Sequence, residues 1–281
     1  MDHLGRVLSA ALLAGTALTG PIMMAPSALA GEDVTETIVD GRPAEAGSWP
    51  AIAMFGEQGT PFTKYTFCGG TLIHPRIVLT AAHCVVVKPG EPPATSFKLG
   101  LGRLKRSGHG GETIRVIADV VHRDYDRKTL HNDLAMVVLA RASQQPTMPL
   151  LKQSRRLTVG RSAQVAGWGN LSEGGGQPDR LQEATMSVLP QRRCDEVYDD
   201  YDRRTGFCAG HWPGPGPDTC QGDSGGPMTI SVNGEARLAG VTSFGGDCGA
   251  PKEPGVYTDL TRYKRWIGVN VRRVLGALGR G

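Results

Sequence analysis

Three side chains stand out for the sequence around them. His83 lies in Leu79-Thr80-Ala81-Ala82-His83-Cys84 and Asp133 in His131-Asn132-Asp133-Leu134-Ala135. Ser224 lies in Asp218-Thr219-Cys220-Gln221-Gly222-Asp223-Ser224-Gly225-Gly226-Pro227. A serine hydroxyl is a poor nucleophile at neutral pH and needs a base within hydrogen-bond reach; imidazole suits that task. A carboxylate can hold the imidazole in the productive tautomer. Such a set performs acyl transfer. Singly, each segment has a plainer account: a core histidine, a strand-capping aspartate, and a tight turn made of the usual turn residues. Their joint occurrence, in the order His, Asp, Ser, points to nucleophilic catalysis instead.

These groups need a scaffold. The chain has 281 residues, 40% of them apolar, enough for a sizeable core. Its 39 glycines and 19 prolines favour many turns over long helices. Short apolar, β-prone runs occur at 51–55, 71–73, 77–80, 114–121, 134–139, 163–166, 184–189, 228–232, 237–243 and 255–259. They are separated by Gly, Pro, Asp and Asn, the pattern of a sandwich or barrel. Only the tail from Leu260 carries helical periodicity, through Tyr263, Trp266, Ile267, Val271, Val274 and Leu275. The polar stretch 140–156 reads as a connection between two halves, and 107–111 and 173–177 as surface loops. A net charge of +4 without a basic run gives no sign of nucleic-acid binding.

The first thirty residues read as an export signal. Arg6 precedes an uncharged, mostly apolar stretch at 7–18, and Ala28-Leu29-Ala30 fits a signal-peptidase site. Gly15, Thr16, Thr19, Gly20 and Pro21 interrupt the run before the ~20 residues of a membrane span. No stable membrane anchor is expected, and the chain is expected to be secreted. The even set of six cysteines, Cys68, Cys84, Cys194, Cys208, Cys220 and Cys248, fits three disulfides in an exported protein. Spacing leaves all 15 pairings open. The close Cys and His pairs of a structural zinc site are missing.

Together these segments resemble the chymotrypsin/trypsin family of serine proteases. The matching residues are Ile38-Val39-Asp40-Gly41, Cys68-Gly69-Gly70-Thr71-Leu72-Ile73, Thr80-Ala81-Ala82-His83-Cys84 and Asn132-Asp133-Leu134. They continue with Gly167-Trp168-Gly169, Phe207-Cys208-Ala209-Gly210, Gly222-Asp223-Ser224-Gly225-Gly226-Pro227 and Pro254-Gly255-Val256-Tyr257. The resemblance therefore spans the chain from Ile38 to the C-terminal helix. It implies an all-β fold: two six-stranded antiparallel β-barrels with a C-terminal helix. The expected division is a signal peptide at 1–30, a short propeptide at 31–37 and a peptidase domain at 38–281. Within that domain the barrels are expected at about 38–145 and 156–260 and the helix at about 261–277. His83 and Asp133 belong to the first barrel, Ser224 and Asp218 to the second.

The resemblance also assigns roles. Ser224 would attack the scissile carbonyl, His83 would take and return its proton, and Asp133 would orient His83. The backbone N–H groups of Gly222 and Ser224 would form the oxyanion hole. Asp218, six residues before Ser224, would sit at the base of the primary pocket and select Arg or Lys. Gly245 and Gly255 would be its small walls, and Ser243 would help hold Asp133. Asp247, where trypsin has Gly, is a candidate second carboxylate at the pocket rim. The ammonium of a freed Ile38 would pair with Asp223. Because Thr37 rather than Arg or Lys precedes Ile38, another protease is expected to make that cut. The implied disulfides are Cys68–Cys84, Cys194–Cys208 and Cys220–Cys248.

The family's calcium loop is not matched, since 99–111 carries Arg103, Lys105 and Arg106 where carboxylates are needed. No metal and no cofactor are expected. Expected partners are protein or peptide substrates, the activating protease and protein inhibitors. Asn170-Leu171-Ser172 is a glycosylation sequon. The alternative reading is a catalytically silent member acting as a binding protein, which usually lacks the His or the Ser; this chain has both.

Overall fold

The structure is a computed structural model, and it describes residues 41–86 and 93–279. The readings of residues 1–40, including the signal peptide, the propeptide and Ile38, lie outside the described residues. Among the described residues, thirteen strands and two α-helices follow one another along the chain. Six strands close the first barrel: β2 (Ile52–Glu57), β3 (Cys68–His74), β4 (Ile77–Thr80), β5 (Phe97–Leu101), β6 (Glu112–Val121) and β7 (Ala135–Leu139). Six more form the second: β8 (Ser162–Gly167), β9 (Gln182–Val188), β10 (Gly206–Gly210), β11 (Pro227–Val232), β12 (Glu235–Phe244) and β13 (Gly255–Asp259). Pairing of β8 with β9, from Ser162 opposite Ser187 to Gly167 opposite Gln182, closes that second ring. A two-residue strand, β1 (Arg42–Pro43), adds to β9 from outside. All strand pairs in both barrels are antiparallel.

Closure removes sheet edges and gives each barrel its own interior. Phe55, Leu72, Val78, Leu99, Leu101 and Ile114 fill the first. Val165, Met186, Phe207, Ile230 and Tyr257 fill the second. Strand β7 is buried at all five positions, because one face looks into the barrel and the other is also covered. Strand β6 instead alternates over its first half, burying Ile114 and Val116 and exposing Thr113 and Arg115, as a half-solvated strand should. A third cluster, including Trp49, Met54, Phe62, Trp168 and Leu181, joins residues of both halves.

The chain ends in α2 (Lys264–Leu278). This helix follows the second barrel, yet Tyr263, Ile267 and Val274 pack with the core of the first. It therefore straps one barrel to the other. The other helix, α1 (Arg192–Asp195), is a single turn that carries Cys194. Among the described residues, no helix is long and apolar enough to cross a membrane.

Candidate active site

His83 sits in a single 3-10 turn at Ala82–Cys84, directly after β4. Asp133 precedes β7, the neighbour of β4, so adjacent strands bring the two together. The His83 backbone N–H donates to Asp133 Oδ1 at 2.9 Å. His83 Nδ1 and Asp133 Oδ2 are 2.7 Å apart. Ser243 Oγ, from β12 of the second barrel, donates to the same Oδ2 at 2.6 Å. Thr258 Oγ1, from β13, donates to the Asp133 carbonyl at 2.8 Å. The Asp133 side chain is fully buried while a quarter of His83 is exposed. A buried carboxylate is tolerable only when its lone pairs are satisfied, and here three donors do so. This geometry fixes the imidazole with Nδ1 toward Asp133 and leaves Nε2 for the cleft.

Ser224 lies in the loop between β10 and β11 and lines one cavity with His83. That cavity, about 490 Å³, is also bounded by Gly222 and the Cys68–Cys84 disulfide. No hydrogen bond joins Ser224 Oγ to His83 in this structure; such bonds often tighten only when substrate is bound. The nucleophile loop is pinned to the first barrel, since Gly69 N–H donates to the Ser224 carbonyl at 2.7 Å. The approach is backbone on backbone. A Cβ on Gly225, whose φ is +80°, would lie 2.2 Å from Thr80 Oγ1 and 2.6 Å from the Gly69 carbonyl.

Within this loop the N–H groups of Asp223, Gly225 and Gly226 donate to Cys220, Thr242 and Asp223 carbonyls at 2.8–2.9 Å. Among the described residues, the N–H groups of Gly222 and Ser224 have no acceptor. Two donors one residue apart, on residues that line the cavity of the nucleophile, form a place for an anion. Gly222 has φ +100°, which a side chain would disfavour.

Asp223 points away from the cavity. Its Oδ1 accepts from Gly169 N at 2.8 Å and its Oδ2 from Cys220 N at 3.0 Å. Burial pushes its carboxyl up to about pKa 6, against the pull of those two donors. Among the described residues, no cationic side chain pairs with it. The expected partner, Ile38, lies outside the described residues.

Asp218 is 5% exposed, and its carboxylate accepts from Thr219 N at 2.8 Å and Gly249 N at 3.1 Å. Burial pushes its carboxyl up to about pKa 7. Gly255 lies beside it, since a Cβ there would sit 3.3 Å from Asp218 Oδ1. A Cβ on Gly245 would in turn lie 3.6 Å from the Gly255 Cα. The structure thus brings Asp218, Gly255 and Gly245 together, and Asp218 also lines a small recess with Gly249 and Glu253.

Asp247 is exposed, and it is Glu253 that shares the Asp218 recess. Glu253 Oε2 accepts the Asp247 N–H at 2.6 Å. Sequence reasoning missed Glu253, whose only signal was an acidic residue just before Pro254-Gly255. It missed Thr258 as well. The three disulfides pair Cys68 with Cys84, Cys194 with Cys208 and Cys220 with Cys248, the last bracing the Asp218 recess. In the loop after β5, Arg103 donates to the Gly108 carbonyl and Arg106 to the Phe62 and Thr63 carbonyls. Guanidinium groups thus occupy backbone oxygens there.

Comparison with known proteins agrees with this geometry. The family model for trypsin matches residues 38–267. Trypsin-1 of Astacus astacus is 34% identical over 243 residues, covering 83% of this chain and 99% of the relative. A trypsin of Saccharopolyspora erythraea is 37% identical over 228 residues, covering 80% and 94%. Serine protease snk of Drosophila melanogaster is 35% identical over 246 residues, covering 82% of this chain and 56% of the relative. The chain belongs to the trypsin family of serine proteases, a class of hydrolases.

Proposed function

We propose that this protein is a secreted endopeptidase that cleaves after Arg or Lys through an acyl-enzyme intermediate. The observation that carries the reading is the Ser243–Asp133–His83 chain of contacts, ending on the cavity that Ser224 lines. In this reading Ser224 Oγ attacks the substrate carbonyl as His83 Nε2 takes its proton. Asp133 stabilises the imidazolium so formed. The Gly222 and Ser224 N–H groups receive the oxyanion. His83 then returns the proton to the leaving amine, and water repeats the sequence on the ester.

Specificity is assigned to Asp218. A neutral guest leaves a desolvated carboxylate unpaired, whereas a guanidinium or ammonium satisfies it. Gly245 and Gly255 leave room for the long side chain. Residues 1–30 would direct export and 31–37 would form the propeptide. Cleavage by another protease would free Ile38 to pair with Asp223. Three disulfides are consistent with an oxidising destination. The further partners are protein substrates and protein inhibitors that enter the cleft. A catalytically silent binding role has no observation in its favour, because the chain carries both His83 and Ser224, one of which such a member usually lacks.

The test is covalent labelling. A fluorophosphonate should modify the chain starting at Ile38 at Ser224 alone, as read by peptide mass spectrometry. It should modify the uncleaved precursor far more slowly. Labelling elsewhere, or none on a folded chain beginning at Ile38, would refute the catalytic assignment.

A further inference from the structure

One side chain of the second barrel reaches across to the first without a role in the scheme above. Gln177 lies in the loop between β8 and β9. Its Nε2 donates to the Thr66 carbonyl at 2.8 Å, and Thr66 Oγ1 donates back to its Oε1 at 3.0 Å. Both ends of the amide are thus held by one residue of the other barrel, and that residue is 5% exposed. The backbone of Gln177 is held too, because its carbonyl accepts from Arg106 Nη1 at 3.3 Å. Arg106 is itself buried, with Nε and Nη2 donating to the Phe62 carbonyl at 3.1 and 2.9 Å. Two residues beyond Gln177, Asp179 accepts from Ser107 N and Oγ at 2.8 and 2.7 Å. Two loops of the first barrel therefore grip this short stretch of the second.

The gripped side chain occupies the space beside Gly222, which carries the candidate oxyanion donor. A Cβ built on Gly222 would lie 2.6 Å from Gln177 Nε2 and 3.1 Å from the Gly169 Cα. Gly222 is confined between these two neighbours. It needs such confinement, because its N–H and that of Ser224 have no acceptor among the described residues. A glycine with an unpaired donor gains by turning that donor toward any available partner. We infer that Gln177 is a positioning residue that keeps the Gly222 N–H aimed at the oxyanion, itself held in place by Thr66 and Arg106 across the cleft. The inference rests on the proteolytic reading of the site.

The test uses Gln177→Ala, Thr66→Val and Thr66→Ser in the chain beginning at Ile38. Full loss of one oxyanion donor costs about 10²–10³ in kcat, and misaiming one is expected to cost roughly tenfold. Gln177→Ala and Thr66→Val should each lower kcat about tenfold, with KM changed less than about twofold. The double variant should be no worse, because both act through one contact. A peptide aldehyde, which forms a tetrahedral adduct on Ser224, should bind about tenfold more weakly to Gln177→Ala. The matching peptide alcohol, which lacks the terminal carbonyl that Ser224 would attack, should bind as to the parent. Thr66→Ser keeps the hydroxyl and should restore the parent values.

Unchanged kcat and aldehyde affinity in Gln177→Ala would overturn the inference alone. Equal weakening of aldehyde and alcohol would overturn it too, marking Gln177 as an ordinary contact. A parent chain without Ser224-dependent hydrolysis would instead remove the proteolytic reading, and the inference with it.

Discussion

Asp218 is desolvated, with no cationic side chain paired to it among the described residues, and a pH dependence follows from that state. Its carboxyl titrates near 7, from an ordinary value of 3.8, because burial penalises the charged form. Between about pH 4 and 7 the folded chain therefore holds a proton that the unfolded chain releases. By linkage, this residue erodes stability as pH rises through that window and contributes no further change above it. A cationic guest reverses the preference, because it binds the ionised carboxylate. In the Ser224→Ala variant, the affinity of a small guanidinium ligand should rise about tenfold per pH unit from pH 5 to 7 and then level off. Calorimetry should show uptake of the ligand with release of a proton at pH 6. An affinity that is flat from pH 5 to 8 would remove Asp218 from the pocket's recognition role.

The elements hold these residues by close backbone approach, and glycines at the crossing points are the sensitive positions. Gly225 and Gly234 share left-handed φ values of +80° and +83°, yet only Gly225 is crowded. Gly234→Ala should cost only the conformational term, about 1–2 kcal/mol. Gly225→Ala adds the clash with Thr80 and Gly69, so roughly 2–5 kcal/mol is expected in denaturant unfolding. Equal costs at the two sites would mean that β3 does not press on the nucleophile loop.

At this scale the sequence was largely readable. Ten strand runs overlap strands β2–β4, β6–β9 and β11–β13, and two of them, at 77–80 and 255–259, coincide with β4 and β13 end to end. The misses have physical reasons. Strand β5 (Phe97–Leu101) contains Gly100, and β10 (Gly206–Gly210) has glycine at both ends, so neither offers a β-branched run. Their burial comes from barrel closure, which no local pattern encodes. Helix α1 is one turn long and has no periodicity to detect. The 140–156 connection was legible as a linker, but its bonds to both barrels were not: Met148 N–H donates to the Leu72 carbonyl and Leu151 N–H to that of Leu238, each at 2.8 Å. Asp247 and Glu253 show the same limit at the site. Both are acidic residues near a pocket, and only the loop's path decides which one lines the recess of Asp218.

Over the whole molecule, the proposed switch couples the chain terminus to the site through Asp223. In the uncleaved chain its carboxyl titrates near 6, so the precursor loses stability as pH rises from about 4 to 6. An Ile38 ammonium beside it would lower that pKa and abolish the loss, worth roughly 3 kcal/mol at one unit per 1.36 kcal/mol. Asp218 is common to both chains and cancels. The melting temperature of the cleaved chain minus that of the precursor should therefore widen from pH 4 to pH 6. A constant gap would break the link between Ile38 and Asp223. With Thr37 before the cut, purified precursor should also fail to mature alone, which gel analysis over time would read.

The most direct measurement is hydrolysis of matched chromogenic peptides that differ only in Arg, Lys, Phe or Ala before the bond. It is made on the chain beginning at Ile38, with Ser224→Ala as control. Cleavage after Arg and Lys that vanishes in the variant is the predicted result. Cleavage mainly after Phe or Ala, or activity that survives Ser224→Ala, would contradict the account.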